Sequence, residues 1–146
     1  MILYLDTSAL VKLYVEEKHS DLVRVWAERV NVVATNEIAY AEMASALNRA
    51  FREGRISQKG FQSVWHIFDE DWECYTVVEV GGEVLNLAKE LIFRHGLRGF
   101  DGIHLASALI LEVEGEVVFG AFDQKLLKAA EREGLRWINY ERLSSS

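Results

Sequence analysis

Short apolar runs alternate along this chain with stretches of three-and-four spacing, and the alternation predicts its elements. Ile2–Leu5 is continuously apolar and stops abruptly on Asp6, Thr7 and Ser8. A run of that length, bounded by polar residues, predicts a strand covered on both faces. A short helix over 9–14 breaks near Glu16-Glu17-Lys18, and a second covers 20–30, with Ser20 as its cap and Leu22, Val23, Trp26 and Val30 at helical spacing. The β-branched stretch 30–34 predicts the next strand, ending at Thr35-Asn36. A helix over 37–53 then closes at Gly54. Its stripe of Tyr40, Met43, Leu47 and Phe51 is expected in the core, while Glu42, Ser45 and Arg49 share another face.

Beyond Gly54 the pattern continues. A helix over 57–68 carries Phe61, Val64, Trp65 and Phe68, and the following Asp69-Glu70-Asp71 reads as its solvated end, because adjacent acids point apart and offer no cage for an ion. The stretch 75–80 alternates in the manner of an edge strand, and Gly81-Gly82 turns the chain. An amphipathic helix over 83–95 closes at Gly96, whereas 102–113 is apolar nearly all round and is expected in the middle of the molecule. A strand over 116–122 stops at Asp123, a helix over 124–133 closes at Gly134, and 135–138 is the last strand. Alternating strands and helices predict an α/β fold with a central, mainly parallel sheet, in one domain over 1–141 with a loose serine tail over 142–146.

Composition narrows the class. With 146 residues, 50% of them hydrophobic, and no proline, the chain is neither disordered nor collagen-like. No run approaches the ~20 apolar residues of a membrane helix, and the apolar start meets Asp6 too soon for a signal peptide, so no membrane association and a cytoplasmic location are expected. Cys74 has no cysteine partner and reads as a small apolar filler. The formal charge of −7 argues against a broad basic surface for nucleic acid, although a local basic rim can still hold phosphates.

The acids carry the candidate chemistry. Asp6 and Asp123 each follow an apolar strand and precede a helix, which puts both on the carboxyl edge of a parallel sheet, where ligands bind in open α/β folds. Helix capping alone would also account for Thr7, Ser8 and Asp101. Glu42 lies among Ala39, Ala41 and Ala44, small enough to confine a carboxylate, yet a solvated glutamate in a good helix former looks the same. His104, one turn beyond Asp101, either supports that acid or packs. Carboxylates brought to one crevice repel one another unless a cation holds them ionised. Hard oxygen donors without a cysteine or a histidine pair favour Mg²⁺ or Mn²⁺. Such a site can bind a phosphodiester oxygen and acidify a water.

Four stretches, taken in order, resemble the PIN-domain ribonucleases: Leu5-Asp6-Thr7-Ser8-Ala9-Leu10, Glu42 within 37–42, Asp101-Gly102-Ile103-His104-Leu105-Ala106-Ser107-Ala108, and 122–130 beginning Phe122-Asp123. The likeness spans nearly the whole chain and is strongest to the VapC-type toxins of toxin–antitoxin pairs. It implies a three-layer PIN-like fold, Mg²⁺- or Mn²⁺-dependent hydrolysis of RNA by a metal-activated water with 5′-phosphate and 3′-hydroxyl products, a homodimer and a VapB-like antitoxin. Carried over, Asp6, Glu42, Asp101 and Asp123 are the catalytic, metal-binding acids, and Thr7 or Ser8 supports the first acid or its water. Arg49, Arg94 and Arg98 are candidates for a phosphate-holding rim. Two departures stand out: Gly102, where alanine is common, and Gly120-Ala121-Phe122, where a hydroxyl is common. The rival readings are a PIN-fold binding or scaffold protein without nuclease activity, and a phosphatase, which Ser8 disfavours by standing where a second aspartate would be needed.

Overall fold

The chain order of elements is β1 (Ile2–Leu5), α1 (Thr7–Leu10), a 3₁₀ turn (Val11–Leu13), α2 (Ser20–Arg29), β2 (Val32–Asn36), α3 (Ile38–Arg52) and α4 (Gln58–Trp72). It continues through β3 (Thr76–Val78), α5 (Gly82–His95), α6 (Gly99–Leu111), β4 (Val117–Gly120), α7 (Gln124–Arg132) and β5 (Arg136–Trp137). The computed structural model describes residues 1–140, so the boundary expected at 141 and the tail expected over 142–146 lie outside the described residues. Among the described residues no helix is long and apolar enough to cross a membrane.

All five strands are parallel, in the order β3-β2-β1-β4-β5. The first strand is therefore the central one, which explains why all four of its residues are buried. Its pleat feeds two separate cores: Ile2 and Tyr4 face the side covered by α5, α6 and α7, and Leu3 and Leu5 face the side covered by α1 to α4. Three layers result. The chain builds outward from β1 to β2 and β3 on one side, then returns to add β4 and β5 on the other, so the order reverses at the carboxyl ends of β1 and β4. Asp6 and Asp123 follow those two strands, at the crevice such a reversal opens.

Several boundaries differ from the sequence reading for identifiable reasons. α1 begins at Thr7 because Asp6 itself caps it, accepting from the Ala9 amide at 3.0 Å. α6 begins at Gly99, three residues earlier than expected, with Arg98 as a cap whose side chain makes no capping bond. A glycine after a poor capping residue masks a helix start. α4 runs through the acid run to Trp72, where Tyr40 donates to Asp69 at 2.6 Å and Tyr14 to Asp71 at 2.7 Å, so those two carboxylates fasten neighbouring elements. In α3, Met43 and Leu47 are in the core as expected, but Phe51 lies exposed against Phe61 and Tyr40 is half-buried; Ala39 and Ala50 fill the face instead. Cys74 is exposed, in the turn after α4, and fills no core position.

Gly102 has a packing role. A Cβ there would stand 2.6 Å from Ile92 Cγ1 and 3.3 Å from the Ala88 carbonyl, so its absence lets α6 lie close against α5. Replacement by alanine should destabilise the protein by about 1–2 kcal/mol through overpacking, despite alanine's helix preference of about 1 kcal/mol. In an Ile92→Ala background the penalty should shrink, because only the 3.3 Å approach to the Ala88 carbonyl remains; denaturant titration of the four chains checks this coupling.

Candidate active site

The sheet's carboxyl edge gathers the predicted acids. Asp6, Glu42, Asp101 and Asp123 line one cavity of about 520 Å³, together with Thr7, Ser8, Arg49, Arg98, His104 and Phe122. They arrive from four elements: the end of β1, the α3 helix, the first turn of α6 and the cap of α7. Asp123 repeats the local chemistry of Asp6, since its Oδ1 accepts from the Leu126 amide at 3.0 Å at the start of a helix. In both cases one carboxylate oxygen satisfies a helix amide, and the cap fixes the acid at the strand's end.

Asp6, Glu42 and Asp101 are each held through one oxygen, and Asp123 through both. Asp6 accepts Ser8 Oγ at 2.7 Å and the Ala9 amide at 3.0 Å, both on Oδ1. Glu42 accepts Thr7 Oγ1 at 2.6 Å and His104 Nε2 at 2.9 Å, both on Oε1. Arg98 donates from Nε to Asp101 Oδ2 at 3.2 Å, and its guanidinium also lies 3.6 Å from Asp123 Oδ2. Among the described residues, Asp6 Oδ2, Glu42 Oε2 and Asp101 Oδ1 have no hydrogen bond to protein, which leaves one oxygen of each acid available to the cavity.

The two hydroxyls thus separate: Ser8 serves Asp6 and Thr7 serves Glu42. His104 was ambiguous in the sequence. It is buried and serves Glu42, from the opposite layer, instead of Asp101 on its own helix. Its Nδ1 meets the Tyr4 hydroxyl at 2.7 Å. Burial pushes that hydroxyl well above its ordinary pKa and keeps it protonated; with the imidazole neutral, the hydroxyl donates to Nδ1 and Nε2–H donates to Glu42. A chain of bonds consequently runs from the central strand to the acid on α3. Only the meeting of Tyr4 and His104 in space exposes it, because 100 residues separate them.

Electrostatics divides the acids. Burial raises the Asp6 carboxyl above its usual value; the neighbouring His104, Ser8 and the Ala9 amide offset part of this, and Asp101 adds to it. Burial also pushes Glu42 upward, but the bonds from His104 and Thr7 outweigh it and hold the carboxyl below its usual range. Arg49 lines the cavity. Arg94 does not reach it: its guanidinium is bound at 2.7 Å to Glu133, which also receives His95 at 2.6 Å.

The donor chemistry suits a hard divalent cation, since every free atom facing the cavity from these acids is a carboxylate oxygen. In this conformation no three His, Cys, Asp or Glu side chains among the described residues are grouped closely enough to hold an ion. Arg98 stands between Asp101 and Asp123 and neutralises part of their repulsion.

The PIN domain profile matches residues 3–132. The chain belongs to the PIN domain family. Ribonuclease VapC45 of Mycobacterium tuberculosis is 31% identical over 135 residues, covering 92% of this chain and 93% of that protein. Ribonuclease VapC46 of the same species is 32% identical over 138 residues, covering 93% and 95%. Among solved structures, VapBC2 from Rickettsia felis, bound to a DNA fragment from its promoter, superposes with a TM-score of 0.66 at 18% identity, covering 96% of this chain and 99% of that one. That likeness establishes a shared fold, in agreement with the three-layer PIN-like architecture expected from the sequence.

Burial makes ionised Asp6 unfavourable to folding, and the sign of that penalty is testable. Because folding raises this pKa, the proton is favoured in the folded state: the penalty is absent below the usual carboxylate range and complete once pH exceeds the raised value. Asp6→Asn keeps the Oδ1 acceptor and removes the charge. In chelator at neutral pH it should melt higher than the unsubstituted chain, by about 2–4 °C per kcal/mol relieved. The difference should close as pH falls through the carboxylate range, as read by calorimetry.

Proposed function

We propose that the protein is a metal-dependent endoribonuclease, the toxin of a type II toxin–antitoxin pair, and that it acts in the cytoplasm as a homodimer restrained by a VapB-like antitoxin. The observation that carries this reading is the convergence of four acids, from four separate elements, on one cavity at the sheet's carboxyl edge. Relatives named as ribonucleases, similar over more than nine-tenths of the chain, support the reaction class. The VapBC2 neighbour supports the kind of partner.

In this reading Asp6, Glu42, Asp101 and Asp123 hold Mg²⁺ or Mn²⁺. The bound ion would supply Lewis acidity, polarising a phosphodiester oxygen and lowering the pKa of a water. The remaining roles belong to side chains. Ser8 and the Ala9 amide orient Asp6, while Thr7 and His104 orient Glu42, so each carboxylate turns its other oxygen toward the substrate. Such outer contacts matter because a ligand allowed to rotate loses both affinity and geometry. Arg98 restrains Asp101 and Asp123, and its long exposed side chain is a cation for the RNA phosphate beside them. Arg49 contributes a second cation at the rim.

Cleavage of a panel of RNAs in Mn²⁺ tests the proposal. Asp6→Asn and Asp101→Asn should each lower the rate at least ~100-fold, in line with electrostatic groups acting directly on the reacting phosphate, and chelation should abolish it. His104→Ala should lose about 10–100-fold through disordered Glu42. Unchanged cleavage in both aspartate variants would reject this site; no cleavage of any RNA would favour the binding or scaffold alternative.

A further inference from the structure

The acid cavity does not end at the acids. A second cavity of about 250 Å³ adjoins it and shares Ser8 and Arg49 with it, so Arg49 stands at the junction of the two. Besides Arg49, this second cavity is lined by Lys12 and Arg55, with Glu17 as its one acidic lining residue. In a chain of net charge −7, three cations around one small cavity beside four carboxylates are a local reversal of sign.

The three cations are held differently. Lys12 is only 13% exposed, with its ammonium 3.3 Å from Glu17 Oε1 and 4.8 Å from the centre of the Phe122 ring, which itself lines the acid cavity. Arg55 is shared between Glu17 at 3.6 Å and Glu53 at 3.0 Å. Arg49 makes no ion pair or side-chain hydrogen bond among the described residues, despite the acids nearby. The exposed Arg55–Glu53 pair is of the surface kind, worth about 0–1 kcal/mol, so a phosphate can take over Arg55, and the unpaired Arg49 has no such contact to give up. An RNA strand whose scissile phosphate lies at the acids needs positive charge where its next phosphates run, because the acids repel them.

Resting on the ribonuclease reading, we propose that the cavity formed by Lys12, Arg49 and Arg55 is a phosphate subsite for single-stranded RNA, so that the backbone leaves the acids past Ser8 and along this side of α3. Lys12 is the preorganised contact, Arg49 bridges the two cavities, and Arg55 closes the far end.

The salt dependence of binding separates this from a structural role. The full chain carrying Asp6→Asn, to silence cleavage, is titrated with a short labelled oligouridylate over a series of NaCl concentrations. Each lost phosphate contact should reduce the slope of log K against log[salt] by about 0.7. Arg49→Gln and Lys12→Met should each do so, Arg49→Lys and Lys12→Arg should restore the slope, and Arg94→Ala, whose cation is bound to Glu133 outside both cavities, should leave it unchanged. Competition by inorganic phosphate should be far weaker than by the oligonucleotide; equal competition would overturn a polynucleotide subsite. Unaltered slopes in Arg49→Gln and Lys12→Met, an equal drop in Arg94→Ala, or no binding at low salt would each overturn it too. Cleavage by the unsubstituted chain is read separately: a chain that cleaves but shows unaltered slopes lacks only the subsite, and one that shows the slopes without cleaving loses the nuclease reading while keeping the subsite.

Discussion

The structure depends on holding a carboxylate at the buried end of its central strand. Asp6 is 5% exposed and follows a strand whose every residue is buried, between β2 and β4. Its backbone amide continues the sheet by donating to the Gly120 carbonyl at 3.0 Å, and its side chain caps the next helix. Strand, cap and acid are therefore one local device. Moving Asp6 would break the last rung between β1 and β4, and that rung also aligns the segment leading to Asp123.

The other acids meet Asp6 because both faces of the sheet send a helix over the same edge. Glu42 comes with α3 from one layer, and His104 with α6 from the other, and their 2.9 Å contact joins the layers directly above the strand ends. The buried Asn36–Ser107 bond, 2.8 Å, ties the same two sides lower down: Asn36 also accepts from the Ile38 amide at the start of α3, and Ser107 belongs to α6. Gly102 adds the close approach of α5 and α6 that seats Asp101. Hydrogen bonds hold one oxygen each of Asp6 and Glu42, and Arg98 between Asp101 and Asp123 relieves part of the repulsion that remains.

Much of this was legible in the sequence, and what was not has a common cause. Period-two and three-and-four spacings carry burial, so β1, α5 and α7 were readable to within a residue or two. The placement of Asp6 and Asp123 followed from strand–acid–helix order together with parallel strands. Capping was harder: Thr7 and Ser8 looked like caps by residue type, whereas Asp6 is the cap and each hydroxyl holds a different acid. The start of α6 was hidden by Gly99. The Tyr4–His104–Glu42 chain and the separation of Arg94 from Arg98 depend on pairs far apart in sequence, which local spacing does not encode.

The proposed function needs Asp6, Glu42, Asp101 and Asp123 to share one cation. Anomalous diffraction from a crystal equilibrated with Mn²⁺ tests it most directly. The expected result is a peak within coordination distance of Asp6 Oδ2, with oxygens of Asp101 and at least one of Glu42 and Asp123 completing the protein ligands and Arg98 displaced from between its two partners. A saturating Mn²⁺ soak that leaves this cavity without a peak, or a peak that ignores Asp6, would rule out a shared cation site.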